Sequence, residues 1–119
     1  MLCEDRNVHS QSVCIFNADS QRLDLRKNKL DELPSTMEYL FALGELLLGG
    51  NNLSRLPEAF ALPNLSILYA EQNRIKELPS SLTNCTKLTR LNLANNPVGP
   101  DFWSLVAHLP NLVELQPIA

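Results

Sequence analysis

The residues best equipped for reactive chemistry are three cysteines, Cys3, Cys14 and Cys85, and two histidines, His9 and His108. A thiolate is a nucleophile and a soft metal ligand, and a neutral imidazole is a base or a second ligand. Either use needs several such groups at one point. Zinc sites commonly draw their ligands from close pairs such as CxxC, and the cysteines here have no such spacing. His9 and His108 are each isolated in the sequence. Metal ligation and a Cys–His nucleophile are therefore set aside, and no metal or cofactor is expected. Free thiols, buried or near a chain end, are the plainer reading, and they suit a reducing compartment. The chain shows no Ser/His/Asp set, paired carboxylates or phosphate loop, and it has only four glycines. The expectation is a protein that is not an enzyme.

Composition narrows the class further. The chain has 119 residues, 45% hydrophobic and 19% charged, which is ordinary for one folded domain. Its net charge of −3 makes nucleic acid an unexpected partner, since phosphate neutralisation needs clustered Lys and Arg. No stretch approaches the roughly 20 apolar residues of a membrane span. The opening Met1-Leu2-Cys3-Glu4-Asp5-Arg6-Asn7 puts charge where a signal peptide carries its apolar run. A cytoplasmic protein is expected.

A different residue type does recur with regular spacing. Asn28, Asn51, Asn73 and Asn96 are separated by steps of 23, 22 and 23 residues. Each ends a run with aliphatics in matching places: Leu23-Asp24-Leu25, Leu46-Leu47-Leu48, Leu68-Tyr69-Ala70 and Leu91-Asn92-Leu93. Leu30, Leu53, Ile75 and Val98 lie two residues beyond each Asn, and Leu43, Leu65, Leu88 and Leu112 lead their runs, with Ser20 in that place in the first. An amide both donates and accepts, so a buried Asn can pair the backbone groups that a tight bend leaves over. These four are expected to form a structural ladder.

The elements that must carry that ladder follow from the spacing. In Leu-x-Leu the two leucines share one face of a short strand, because strand side chains alternate. Each repeat then adds one strand to a parallel sheet, and stacked leucines build a core no single repeat could bury. On the return side Leu-Pro recurs at 33–34, 56–57 and 78–79, where proline loses no ladder hydrogen bond. Met37, Phe60 and Leu82 form one column expected to close the core, and Leu40 and Cys85 a second. Segments 35–42 and 80–87 are expected to be 3₁₀ or single-turn helix.

Residues 1–19 lack the repeat and are expected to cap the first coil, with Val13-Cys14-Ile15-Phe16 pairing as a strand and the polar start partly disordered. Residues 20–98 carry the repeats. Residues 99–119 form a C-terminal cap: Asp101 is expected to N-cap an amphipathic helix, Trp103 to cover the last coil, and Leu112 and Leu115 to supply a last strand.

The pattern LxxLxLxxNxL with this period resembles the leucine-rich repeat proteins. The Leu-Pro returns are similar to those of the intracellular class typified by Ras-binding and scaffold members. The stretch from Asn96-Pro97-Val98 to Leu112-Val113-Glu114-Leu115 looks like the cap of small regulatory members, including phosphatase-1 regulators and dynein light chain 1. The resemblance covers residues 20–116, although Gln116 stands where that cap closes on Asp. It implies an α/β fold: a right-handed solenoid with a short parallel β-sheet on the concave face and 3₁₀ or short helices on the convex face. It also implies a binding module without enzymatic activity of its own.

Strand residues that alternate with the core leucines should point out from the concave sheet. One column reads Asp24, Leu47, Tyr69, Asn92 and Gln116; its neighbour reads Arg22, Glu45, Ile67, Arg90 and Glu114; a third reads Arg26, Gly49, Glu71 and Ala94. The partner-binding residues expected from these columns are Arg22, Asp24, Arg26, Glu45, Leu47, Ile67, Tyr69, Glu71, Arg90 and Asn92. Leu47, Ile67 and Tyr69 give an apolar centre inside a charged rim, the anatomy of a protein interface. Gly49-Gly50 should leave a bare patch beside Leu47, either to admit a partner side chain or to relieve crowding. The convex side, with Tyr39, Phe41 and Phe60 nearby, is the competing surface. The expected function is an adaptor or regulatory subunit with a protein partner. A self-assembling structural protein and an effector-like module acting on host proteins are the alternatives. A monomer is expected, with a homo-oligomer formed through an open end as the competing state.

Overall fold

A computed structural model describes residues 21–33, 40–58, 60 and 62–116. The expectations for residues 1–19, Met37 and Tyr39 lie outside these. Five three-residue strands form one parallel sheet in chain order. They are β1 (Arg22–Asp24), β2 (Glu45–Leu47), β3 (Ile67–Tyr69), β4 (Arg90–Asn92) and β5 (Glu114–Gln116). The register puts Leu23, Leu46, Leu68, Leu91 and Leu115 side by side, and Asp24, Leu47, Tyr69, Asn92 and Gln116 beside them. The columns follow the repeat.

The inward leucines join one continuous core. Leu23, Leu46, Leu68 and Leu91 are buried, as are Leu25, Leu48, Ala70 and Leu93 two residues on. Leu43, Leu65 and Leu88 close the core from the strand entry, and Leu30, Leu53 and Ile75 from the far side of the bend. On the return side Phe60 and Leu82 share one buried column, and Leu40 and Cys85 another, as the spacing required. Each fully buried side chain of this size contributes about 1.5–3 kcal/mol before the entropy of ordering the chain is counted. The return segment Ser80–Asn84 is a 3₁₀ helix with Leu82 inward.

The asparagines join neighbouring coils. Asn51 Nδ2 donates to the Leu48 carbonyl of its own coil (2.8 Å) and to Leu25 of the coil before (3.0 Å). Its Oδ1 accepts from the backbone N–H of Asn28 (2.8 Å) and Leu30 (3.0 Å). Asn73 repeats the pattern with the carbonyls of Ala70 and Leu48 and the N–H of Leu53. Asn96 does so with Leu93, Ala70 and the N–H of Ile75. All three are buried, whereas Asn28, in the first coil, is half-buried. The residue before each ladder Asn has left-handed backbone: Lys27 (φ 59°), Gly50 (73°), Gln72 (59°) and Asn95 (64°). Only glycine takes that geometry without a steric cost of roughly 1–2 kcal/mol.

The C-terminal helix differs from expectation in two details. Helix α1 spans Asp101–Val106, but Pro100 occupies the N-cap position and no side chain caps the helix. Pro100 already has helical backbone (φ −65°, ψ −21°), so the chain turns one residue earlier and Asp101 falls in the first turn. There its charge faces the positive end of the helix dipole. Trp103 does not cover the last coil: it is 55% exposed, and Phe102 is buried instead. A helix turns one stripe inward, and here that stripe is Phe102, Leu105 and Val106, followed beyond the helix by Leu109, all packed on or within the core. Trp103 is left outside, meeting the edge of Phe102 at 5.1 Å. No helix among the described residues is long and apolar enough to cross a membrane.

Candidate protein-binding face

The ten residues expected on the outer face of the sheet all lie on its strands or directly after them, in the columns the repeat dictates. What the structure adds is how they treat one another. Arg22 on β1 pairs with Glu45 on β2 (3.4 Å), and Arg90 on β4 pairs with Glu114 on β5 (3.4 Å). Each pair joins residues in register on neighbouring strands, the geometry that favours opposite charges. Arg26 turns back onto Asp24, with Nε donating to Oδ1 (2.8 Å) and Nη2 to Oδ2 (2.7 Å). That two-point bond lowers the Asp24 carboxyl to a pKa of about 2, and in return raises the Arg26 guanidinium. Asp24 and Asn92 also accept the backbone N–H two residues on, so both close the bend after their strand. The rim is thus largely self-paired.

The centre is different. Ile67 and Tyr69 on β3 are half-buried, presenting part of their surface side by side on the outer face. Leu47 does not present an exposed surface as expected, being only 6% exposed. Alternation sets the face a side chain points to, not how much of it solvent reaches. Leu47 stands in register between Asp24 and Tyr69 on strands about 4.8 Å away on either side, and side chains that close shield it. It lies outside the main core cluster and forms the floor of the outer face rather than its surface.

Gly49-Gly50 does not leave a bare patch. A Cβ on Gly49 would lie 2.5 Å from Glu71 Oε2 and 2.7 Å from its Cδ, so the Glu71 carboxylate fills that space. Gly50 serves the bend, where its φ of 73° strains any other residue and an added Cβ would press on Lys27 Cγ at 3.1 Å. Glu71 differs from the other carboxylates of the face. Its Oε1 is shut from solvent and accepts no hydrogen bond among the described residues. Glu114 and Gly49 also belong to this face, in the columns the repeat step dictates, although neither is among the ten expected residues.

Away from this face, Phe41 is exposed on the convex side, while Phe60 lies in the core as its column requires. A cleft between the return side and α1 is lined by Leu78, Pro97, Val98, Phe102 and Leu105 and edged by Lys76, Glu77 and Asp101. Cys85 is a free, buried thiol whose pKa is pushed up by burial, the opposite of an activated nucleophile.

Comparison with known proteins agrees with this geometry. A family model described as leucine rich repeats (2 copies) matches residues 63–102. The chain is similar to a probable disease resistance protein of Arabidopsis thaliana, 39% identical over 83 residues, covering 67% of this chain and 9% of that protein. It is also similar to the geranylgeranyl transferase type-2 subunit alpha of Bos taurus, 36% identical, covering 64% of this chain and 14% of that one. Among solved structures, a Leptospira interrogans LRR protein superposes with a TM-score of 0.72 at 34% identity, over 83% of this chain and 26% of that one. The chain therefore spans about a tenth of the length of these curated relatives. With the parallel five-strand sheet, the stacked leucines and the asparagine ladder, these matches identify the chain as a leucine-rich repeat protein.

Proposed function

We propose that the chain is a non-enzymatic adaptor or regulatory module that binds a protein partner on the concave, outer face of its sheet. The observation that carries this reading is the contrast within that face. Apart from Glu71, the rim charges pair with one another, while Ile67 and Tyr69 offer apolar surface at the centre above the Leu47 floor. A desolvated centre with a polar surround is where binding energy concentrates, and tyrosine is a favoured anchor. The family supplies the general role of protein interaction, and one relative named as an enzyme subunit is a far longer protein. A cytoplasmic setting is supported by the free thiol of Cys85 in the core.

The test is the double variant Ile67→Arg/Tyr69→Ala. Circular dichroism should match wild type, and affinity purification with mass spectrometry should lose the partner. Recovery of the same partner by the folded variant would rule out the outer face. Leu47 is left intact because a charge at that buried position would unfold the sheet.

A second reading, self-assembly through the last coil, is supported by Val113, 83% exposed beside the terminal strand β5. Light scattering across a hundredfold concentration range decides it: a constant monomer mass removes this reading.

A further inference from the structure

Among the charged groups of the outer face, Glu71 alone is without an ion-pair partner among the described residues. Arg22 holds Glu45, Arg26 holds Asp24 and Arg90 holds Glu114. Four carboxylates and three guanidinium groups thus share the face, and the excess negative charge falls at its centre, two residues along the chain from Tyr69. The Glu71 carboxylate lies over Gly49, which has no side chain to exclude it. One of its oxygens is removed from water and accepts nothing. Such an oxygen is rare in folded proteins, because a buried acceptor without a donor loses its hydration and gains nothing in return. The one guanidinium in the same column, Arg26, feels the Glu71 charge at a distance but gives its hydrogen bonds to both oxygens of Asp24.

We propose that Glu71 is the receptor for an arginine side chain of the protein partner, which docks beside Tyr69 on the outer face. This rests on the assignment of that face as the binding surface. The site is complementary to a cation, and engaging Glu71 breaks no existing bond, whereas engaging Asp24, Glu45 or Glu114 must first break an ion pair. Arginine fits better than lysine. Its planar fork can give two hydrogen bonds to one carboxylate while its face lies against an aromatic ring, and Tyr69 supplies that ring at the same centre. To meet the guanidinium, the carboxylate lifts out of the hollow over Gly49. The hollow is its resting place in the free protein.

The test uses the intact chain as bait for a phage-displayed library of random 12-residue peptides. Recovered peptides are then synthesised and titrated by calorimetry. The expected result is enrichment of arginine next to apolar residues, with Tyr69→Ala abolishing binding. Glu71→Gln, which keeps the shape and removes the charge, should weaken binding about tenfold or more, the scale of one lost charge-assisted hydrogen bond. Replacing the peptide arginine by alanine should weaken it equally. The two changes together should cost little more than either one. Peptides that need Tyr69 but carry no arginine preference, or bind Glu71→Gln as tightly as wild type, would overturn the arginine assignment and leave the outer face standing. Peptides indifferent to Tyr69→Ala, or a library that yields no binder, would overturn both. The peptide-side substitution keeps the test decisive even where a Glu71 variant folds poorly.

Discussion

The two faces of the sheet are built from the same fifteen strand positions, yet they follow different rules. The inward position of every strand is leucine: Leu23, Leu46, Leu68, Leu91 and Leu115. The outward position just beside it is Asp24, Leu47, Tyr69, Asn92 and Gln116, a different residue in every coil. Inward side chains must stack on the coils above and below, so what suits one coil suits all of them. Outward side chains meet only lateral neighbours and whatever docks there, and their variation is what allows recognition. The repetition is thus a record of packing, and departures from it mark where the chain is free to specialise.

Leucine truncation separates the faces most sharply. Leu68→Ala should destabilise the fold by about 3 kcal/mol, within the 2–5 kcal/mol spread for buried leucines. Leu47→Ala, also buried but on the outer face, should cost at least about 1 kcal/mol less, because its surroundings can relax toward solvent. Chemical denaturation measures both, and equal losses would make Leu47 a core residue in energy as well as in burial.

The bends between strands give the next effect. Gly50→Ala forces a side chain into left-handed backbone and against Lys27 Cγ at 3.1 Å, and should cost about 1–2 kcal/mol. Gln72→Gly, at the equivalent place one coil on, should instead stabilise by up to about 1 kcal/mol. Thermal melts of the pair check this, and the same sign for both would remove the strain argument.

The smallest effect belongs to the rim. Asp24 is held at a pKa of about 2 by its hydrogen bonds from Arg26, below its ordinary 3.8. A lowered folded pKa means the charged form favours the fold. That contribution is complete above about pH 4 and fades as pH falls through about 2. The pair is exposed, so its share of stability is small. Carboxyl carbon shifts followed by NMR between pH 5 and 1.5 should give the low midpoint, and Arg26→Ala should return it toward the ordinary value.

Much of this architecture was legible in the sequence because it depends on position within a repeat. The strands, their register, the buried Phe60, Leu82 and Cys85 and the asparagine ladder all follow from a fixed step. Features that depend on a particular neighbour were not legible. Alternation puts Leu47 on the outer face but does not set its exposure, since its shielding comes from the coils on either side. Phe102 and Trp103 are adjacent aromatics, and which one turns inward depends on where α1 begins, which Pro100 sets one residue earlier than the Asp101 cap motif suggested. The missing side chain at Gly49 reads as room for a partner, whereas in the fold the Glu71 carboxylate lies in it. The pairing of Arg22 with Glu45 and of Arg90 with Glu114 likewise depends on geometry across coils, and that of Arg26 on its turn back onto Asp24 within one coil.

The claim that the outer face of the sheet is the working surface is tested most directly by one calorimetric comparison. A selected peptide is titrated into wild type, Tyr69→Ala and, as a control for an exposed residue beyond the strands, Arg55→Ala. The account predicts that Tyr69→Ala weakens binding at least tenfold, while Arg55→Ala leaves it within about twofold. Undiminished binding by a folded Tyr69→Ala protein, or a loss confined to Arg55→Ala, would contradict it.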